Sequence, residues 1–267
     1  MKLVGFALRV VIVAVVAATT SEAFAPATTR TRTMATVLSS SALDLPSIEE
    51  LSSAPFMKQV QYGSDMTDLL RSTSDGVDDD DGNNEAIKAS LAAQLSHSDG
   101  IRGFMVAYLT GSYESSTSED GSIDAGEMME TETDPRVLLE TLHGLLAKQE
   151  SESGDDLVSL MCMNVVMPVA MITMHEDPAL SEASKLTAAR GARLLGSFVS
   201  SSASIRSNAE AILEAASVSE TSNNESGDET KRLVAYWTKF FGKWGYGDAQ
   251  KEDIGATMKE LLSTASS

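Results

Sequence analysis

The sequence has a single cysteine, few aromatic residues (5%), and only 20 basic side chains against 39 acidic ones. Each shortage excludes something. Cys162, standing alone, rules out an intrachain disulfide framework and any multi-cysteine metal knuckle. The net charge of −19, or −20 without the first 23 residues, argues against nucleic acid, because phosphate binding is driven by Lys and Arg displacing condensed counterions. There is no phosphate-cradling GxxxxGK[ST], no GxGxxG, no HExxH and no GxSxG elbow. His97, His143 and His175 lie far apart. No catalytic residue, resident metal or cofactor can be read from these patterns, although a site assembled in space from separate helices leaves no such motif. A hydrophobic share of 42% is enough for one sizeable core. The abundance of Ala and Ser over aromatics points to packed helices.

The N-terminus reads as an address. Lys2 precedes an apolar run from Leu3 to Ala18 broken only by Arg9, followed by a small-x-small site at Ser21 and Ala23. This is the anatomy of a secretory signal peptide over 1–23. Residues 24–45 then carry Arg30, Arg32, many Ser and Thr, and no acid before Asp44, the composition of a transit peptide. The tandem, with Phe24 directly after the small residue at the Ala23-Phe24-Ala25-Pro26 junction, resembles the bipartite presequence of algae with complex plastids. That resemblance covers only this leader. It implies entry by the endoplasmic reticulum route and delivery to the plastid, in the stroma or at the thylakoid surface. Ordinary secretion and a membrane-anchored leader are the other readings of the same tract.

Residues 46–84 are weakly patterned, with short amphipathic stretches at Ile48–Leu51 and Met66–Leu70, and they end in the acidic run Asp75–Gly82. Mutually repelling carboxylates are not buried, so this segment reads as an acidic, largely disordered linker. From there, residues 85–267 read as one all-α bundle of about six to eight helices behind a disordered presequence. Ile87, Leu91 and Leu95 recur every fourth residue behind a cap at Asn83 or Asn84. Asp134-Pro135 and Asp177-Pro178 are cap-and-proline helix starts. Serines 197–204 are placed to interrupt a long helical region, and Gly245-Tyr246-Gly247 separates two terminal helices.

Several features could carry function. Leu157–Met174 has no charge and is long enough to test as a membrane span. Asn164 and Pro168 favour a kinked central helix of a soluble bundle instead. Met163, Met167, Met171 and Met174 read as one buried core stripe on that helix, although thioethers near Cys162 and His175 also suit copper(I). In Ser116–Glu127, the residues Asp120, Asp124 and Glu127 match calcium-loop positions, but Ser116 and Ser118 stand where carboxylates or amides are needed, so any calcium binding is expected to be weak. His97, Asp99 and Arg102 could hold a small-molecule anion. The structural alternative is a helix break, with Ser98 or Asp99 capping a helix that starts at Gly100, Arg102 paired to a nearby acid, and Gly103 allowing a close crossing. Arg190 and Arg193 could supply a second pair of anion donors.

The segment 229–244 is the most informative about partners. Leu233, Val234, Trp237, Phe240, Phe241 and Trp244 share one helical arc, and Arg232, Lys239 and Lys243 lie on a separate flank. Such a helix could seal the bundle, meet a protein partner, or lie at an anionic thylakoid surface. The expectation is a non-catalytic plastid accessory or assembly factor acting through protein contacts. The alternatives are a membrane-peripheral protein using helix 229–244 and a small-molecule binder or enzyme at His97, Asp99 and Arg102.

Overall fold

The computed structural model describes residues 45–74, 81–111, 133–152, 156–217 and 228–264. Ten helices and no strand are found among them: α1 Ile48–Ser53, α2 Phe56–Ser74, α3 Asp81–Gln94, α4 Ser98–Thr110, α5 Arg136–Glu152, α6 Asp156–Met174, α7 Pro178–Val199, α8 Ala203–Ser217, α9 Asp228–Trp244 and α10 Asp248–Thr264. The all-α expectation therefore holds. The signal and transit readings over 1–44, the acidic run at 75–80 and the calcium-loop residues Asp120, Asp124 and Glu127 lie outside the described residues.

Eight of the ten helices fall within 85–267 or begin just before it. The other two overturn the linker reading of 46–84. Ser47 caps α1 through a reciprocal capping box with Glu50 and leaves Leu51 buried. In α2 the buried residues are Gln59, Tyr62, Gly63, Met66, Thr67 and Leu70, a repeating i, i+3, i+4 face. Half of that face is polar or small, so its hydropathy hides the helix. The polar members are satisfied locally. Gln59 Nε2 donates to the Leu51 carbonyl at 2.6 Å, and Thr67 Oγ1 donates to the Gly63 carbonyl at 2.7 Å. The small member permits contact. Where α2 crosses α4, a Cβ on Gly63 would lie 2.8 Å from the Phe104 Cα, and one on Gly103 would lie 2.5 Å from the Gln59 Cβ. The close crossing expected at Gly103 is present, and its partner is the supposed linker.

Helix α6 is central, packed against α4, α7, α8 and α10. Its buried row is Leu157, Val158, Met161, Cys162, Val165, Val166, Val169 and Ala170. It is long and apolar enough to cross a membrane, with a mean hydropathy of 2.0 over Leu157–Met174, and Pro168 sits inside it. Asp177 caps α7, its carboxylate accepting from the Ala179 N–H at 2.9 Å. The chain then breaks at Ser200–Ser202, inside the serine cluster that the sequence places to interrupt the helical run. Gly245 adopts φ 70°, a left-handed turn that glycine enters without strain. The Tyr246 N–H reaches back to the Phe241 carbonyl at 3.1 Å and the Gly245 N–H to that of Gly242 at 3.2 Å, closing α9 in a Schellman motif. The turn lays the Tyr246 ring on Phe241, centroids 5.9 Å apart.

Candidate functional site

Helix starts are rich in unpaired N–H groups, and the break before α4 shows how they are met. His97, neither Ser98 nor Asp99, is the N-cap, and α4 begins at Ser98 rather than Gly100. The Gly100 N–H donates to His97 Nδ1 at 3.4 Å, which leaves Nε2 as the N–H facing the Leu51 carbonyl at 3.0 Å. Gln59 donates to the same carbonyl and to that of Ala54. His97 and Gln59 thus close the C-terminal end of α1, where carbonyls lack helical partners. Asp99 and Arg102 instead pair with each other at 3.8 Å, both well exposed. The structure does not assemble His97, Asp99 and Arg102 into one site, because the first is a structural cap and the other two form a surface i, i+3 pair. Similarly, α3 starts at Asp81, which puts Asn83 and Asn84 inside its first turn rather than at the cap.

Arg190 and Arg193 are both committed within the fold. Arg190 is 1% exposed, and its guanidinium donates to the carbonyls of Leu109 at 3.1 Å and Gly111 at 3.0 Å. A cation there meets the negative end of α4. Arg193 forms a two-pronged pair with Asp134, at 3.1 and 3.0 Å, and the Tyr108 hydroxyl donates to the same carboxylate at 2.6 Å. Asp134 therefore spends its charge on a tertiary pair across to α7, while Pro135 directly precedes α5. Two arginines one helical turn apart fix Gly111 and Asp134, the residues that bracket the acidic segment 112–132.

The aromatic arc of α9 turns inward. Trp237 and Phe241 are fully buried, and the Trp237 indole N–H donates to Asn208 Oδ1 on α8 at 3.1 Å. Leu233, Val234, Phe240 and Trp244 are half-buried. Trp237 and Phe241 therefore seal the bundle and are not available to a partner in the folded chain. The opposite flank is open. Arg232, Lys239 and Lys243 are exposed, lie within about 40° of one another at 3.6 residues per turn, and extend over about 16 Å. Tyr236, 41% exposed, borders them.

Most cations elsewhere in the described chain have partners, Lys251 and Lys259 on α10 being exceptions. Arg71 meets Asp68, Lys88 meets Glu85 and Glu140, Arg136 meets Glu140, and Lys185 meets Glu182. Arg206 donates to the Val199 and Ser200 carbonyls, and Lys58 sits over the Tyr62 ring. Among the described residues, Lys231, Arg232, Lys239 and Lys243 form no ion pair. Residues 230–247 contain these four cations and no acid, inside a chain of net charge −19. Periodicity separates the basic flank from the aromatic arc; what it does not show is that no acid among the described residues pairs with it.

The methionine stripe is also not where the core reading put it. Met163, Met167, Met171 and Met174, with Leu160, are half-buried on the face of α6 opposite its buried row. Cys162 is in that buried row, and burial pushes its thiol up to about 12. Burial lowers the His175 pKa, against an opposing pull from Asp177. Among the described residues no three His, Cys, Asp or Glu side chains gather as a metal cluster. No family model, curated protein or solved structure matches the chain.

Proposed function

We propose that this chain is a non-catalytic accessory or assembly factor of the plastid that works by contact with another protein, docking an acidic partner on the Arg232, Lys239, Lys243 stripe of α9. One observation supports this reading: in a strongly acidic chain, three exposed cations aligned on one helix face have no ion-pair partner among the described residues. Such a stripe is hydrated and costs little to maintain, and pairing it with carboxylates of a partner gives orientation and a fast encounter. The rest of the surface repels an acidic partner, so the stripe also selects the docking pose. The bipartite leader supports the plastid assignment.

The membrane-peripheral alternative is weaker on the same geometry. An interfacial helix holds its Trp and Phe in the acyl boundary, whereas Trp237 and Phe241 are committed to α8. The small-molecule alternative at His97, Asp99 and Arg102 loses its constellation. The test is affinity purification of the full chain from isolated plastids, comparing wild type with Lys239→Glu/Lys243→Glu at low and high salt. The reading predicts an acidic protein that is released by salt and absent from the variant. An identical set of captured proteins from both chains would overturn it.

A further inference from the structure

Helix α6 carries Met161, Met163, Met167, Met171 and Met174, yet only Met161 lies in its buried row. Core packing explains Met161 and leaves the outward sulfurs unexplained. A helix that needed only an apolar outer face would be served equally by Leu, which matches Met in volume. What the thioether adds is a soft, neutral lone pair.

The spacing gathers those lone pairs. Met167, Met171 and Met174 stand at i, i+4 and i+7, so successive members are helix-surface neighbours with Cβ atoms about 5–6 Å apart. Three rotatable bonds per side chain give the sulfurs freedom to converge. His175 follows Met171 by four residues, and its backbone N–H closes on the Met171 carbonyl at 3.0 Å, so it continues the same face at the helix end. Its half-buried imidazole makes no side-chain hydrogen bond among the described residues. We propose that Met167, Met171, Met174 and His175 form a half-exposed site for a soft monovalent cation of the copper(I) class.

The donor set selects against other metals. No charged residue occurs between Leu157 and Met174, so α6 itself offers a hard divalent ion no carboxylate, and Asp177, which acts on His175, is engaged as the cap of α7. Soft d¹⁰ copper(I) accepts neutral sulfur and imidazole donors without one. The chain's other sulfur of high affinity, the Cys162 thiol, is fully buried in the opposite row and stays protonated.

The experiment is anaerobic titration of the full chain with copper(I) against a weak chromophoric chelator, paired with methyl-labelled methionine NMR during silver(I) addition. The proposal predicts that about one equivalent of copper(I) is withheld from the chelator and that the methyl signals of Met167, Met171 and Met174 shift together. Replacing those three with Leu, which keeps volume and fold, should weaken binding at least about tenfold, and His175→Gln should weaken it by less. An unchanged melting temperature for the triple variant separates loss of donors from loss of fold. Failure to withhold copper(I) would overturn the proposal, as would equal binding by the triple variant or loss of binding only on Cys162→Ala.

Discussion

Putting the same methyl group at two glycines tests whether residues 56–74 belong to the core. Gly103 and Gly144 both lie inside helices, so changing either to Ala gains about 1 kcal/mol of helix propensity. At Gly144 a Cβ meets nothing within 4 Å. At Gly103 it falls 2.5 Å from the Gln59 Cβ, 2.6 Å from the Gln59 carbonyl carbon and 2.8 Å from the Val60 nitrogen. Two of those atoms are backbone, so α2 itself must shift, an overpacking cost of about 3 kcal/mol. The net result is about 1 kcal/mol of stabilisation for Gly144→Ala and about 2 kcal/mol of destabilisation for Gly103→Ala. At about 2–4 °C per kcal/mol for a domain of this size, thermal melts followed by circular dichroism should move up by about 3 °C and down by about 6 °C respectively. If both substitutions raise the melting temperature, α2 does not cross α4 and the segment is a linker after all.

Trp237→Phe keeps most of the ring but leaves Asn208 Oδ1 buried without its donor, so urea unfolding should show a loss of about 1–3 kcal/mol; a loss below about 0.5 kcal/mol would place the indole elsewhere. A thiol-specific disulfide reagent at neutral pH should leave native Cys162 untouched and label it only after denaturation, and rapid native labelling would contradict its burial. Because that thiol is protonated in the fold up to about 12 while the unfolded thiol ionises near its ordinary 9.0, its share of stability is complete below pH 9 and declines above it. Cys162→Ala should remove this part of the alkaline slope, and an unchanged slope would refute the sign. Arg190→Met should cost about 2–4 kcal/mol by stranding the Leu109 and Gly111 carbonyls, read by the shift in the denaturant midpoint; a cost near zero would deny that Arg190 closes α4.

The legible parts of the fold were those with a strong local signal. Asp177-Pro178 fixes the start of α7 because a side-chain acceptor and a missing donor both suit a helix N-terminus. Gly245 fixes the end of α9 because the left-handed turn needs it. Ile87, Leu91 and Leu95 declare α3 by period alone. The amphipathic stretches at Ile48–Leu51 and Met66–Leu70 mark only fragments of α1 and α2, and α2 stays hidden as a whole because Gln59, Gly63 and Thr67 sit on its buried face, where their value depends on the Leu51 carbonyl and on Phe104, contacts that no local pattern contains. The methionine stripe failed for the opposite reason: α6 is apolar all round, so the period marks the stripe but not which way it faces. On α9 the two faces were separable, yet only packing against α8 decides that the aromatics go inward. The His97, Asp99, Arg102 grouping was proximity along the chain mistaken for proximity of side chains.

Docking through α9 depends most directly on the cationic stripe. Binding of a fluorescent carboxylate-rich peptide to the full chain, measured by anisotropy at low and high salt for wild type and for Lys239→Glu/Lys243→Glu, reads it alone, since exposed substitutions of this kind change stability by no more than about 0.5 kcal/mol. The stripe predicts binding that weakens as salt rises and that falls at least about tenfold in the variant, with both melting temperatures alike. Equal affinity of the two chains for the peptide, or binding indifferent to salt, would contradict it.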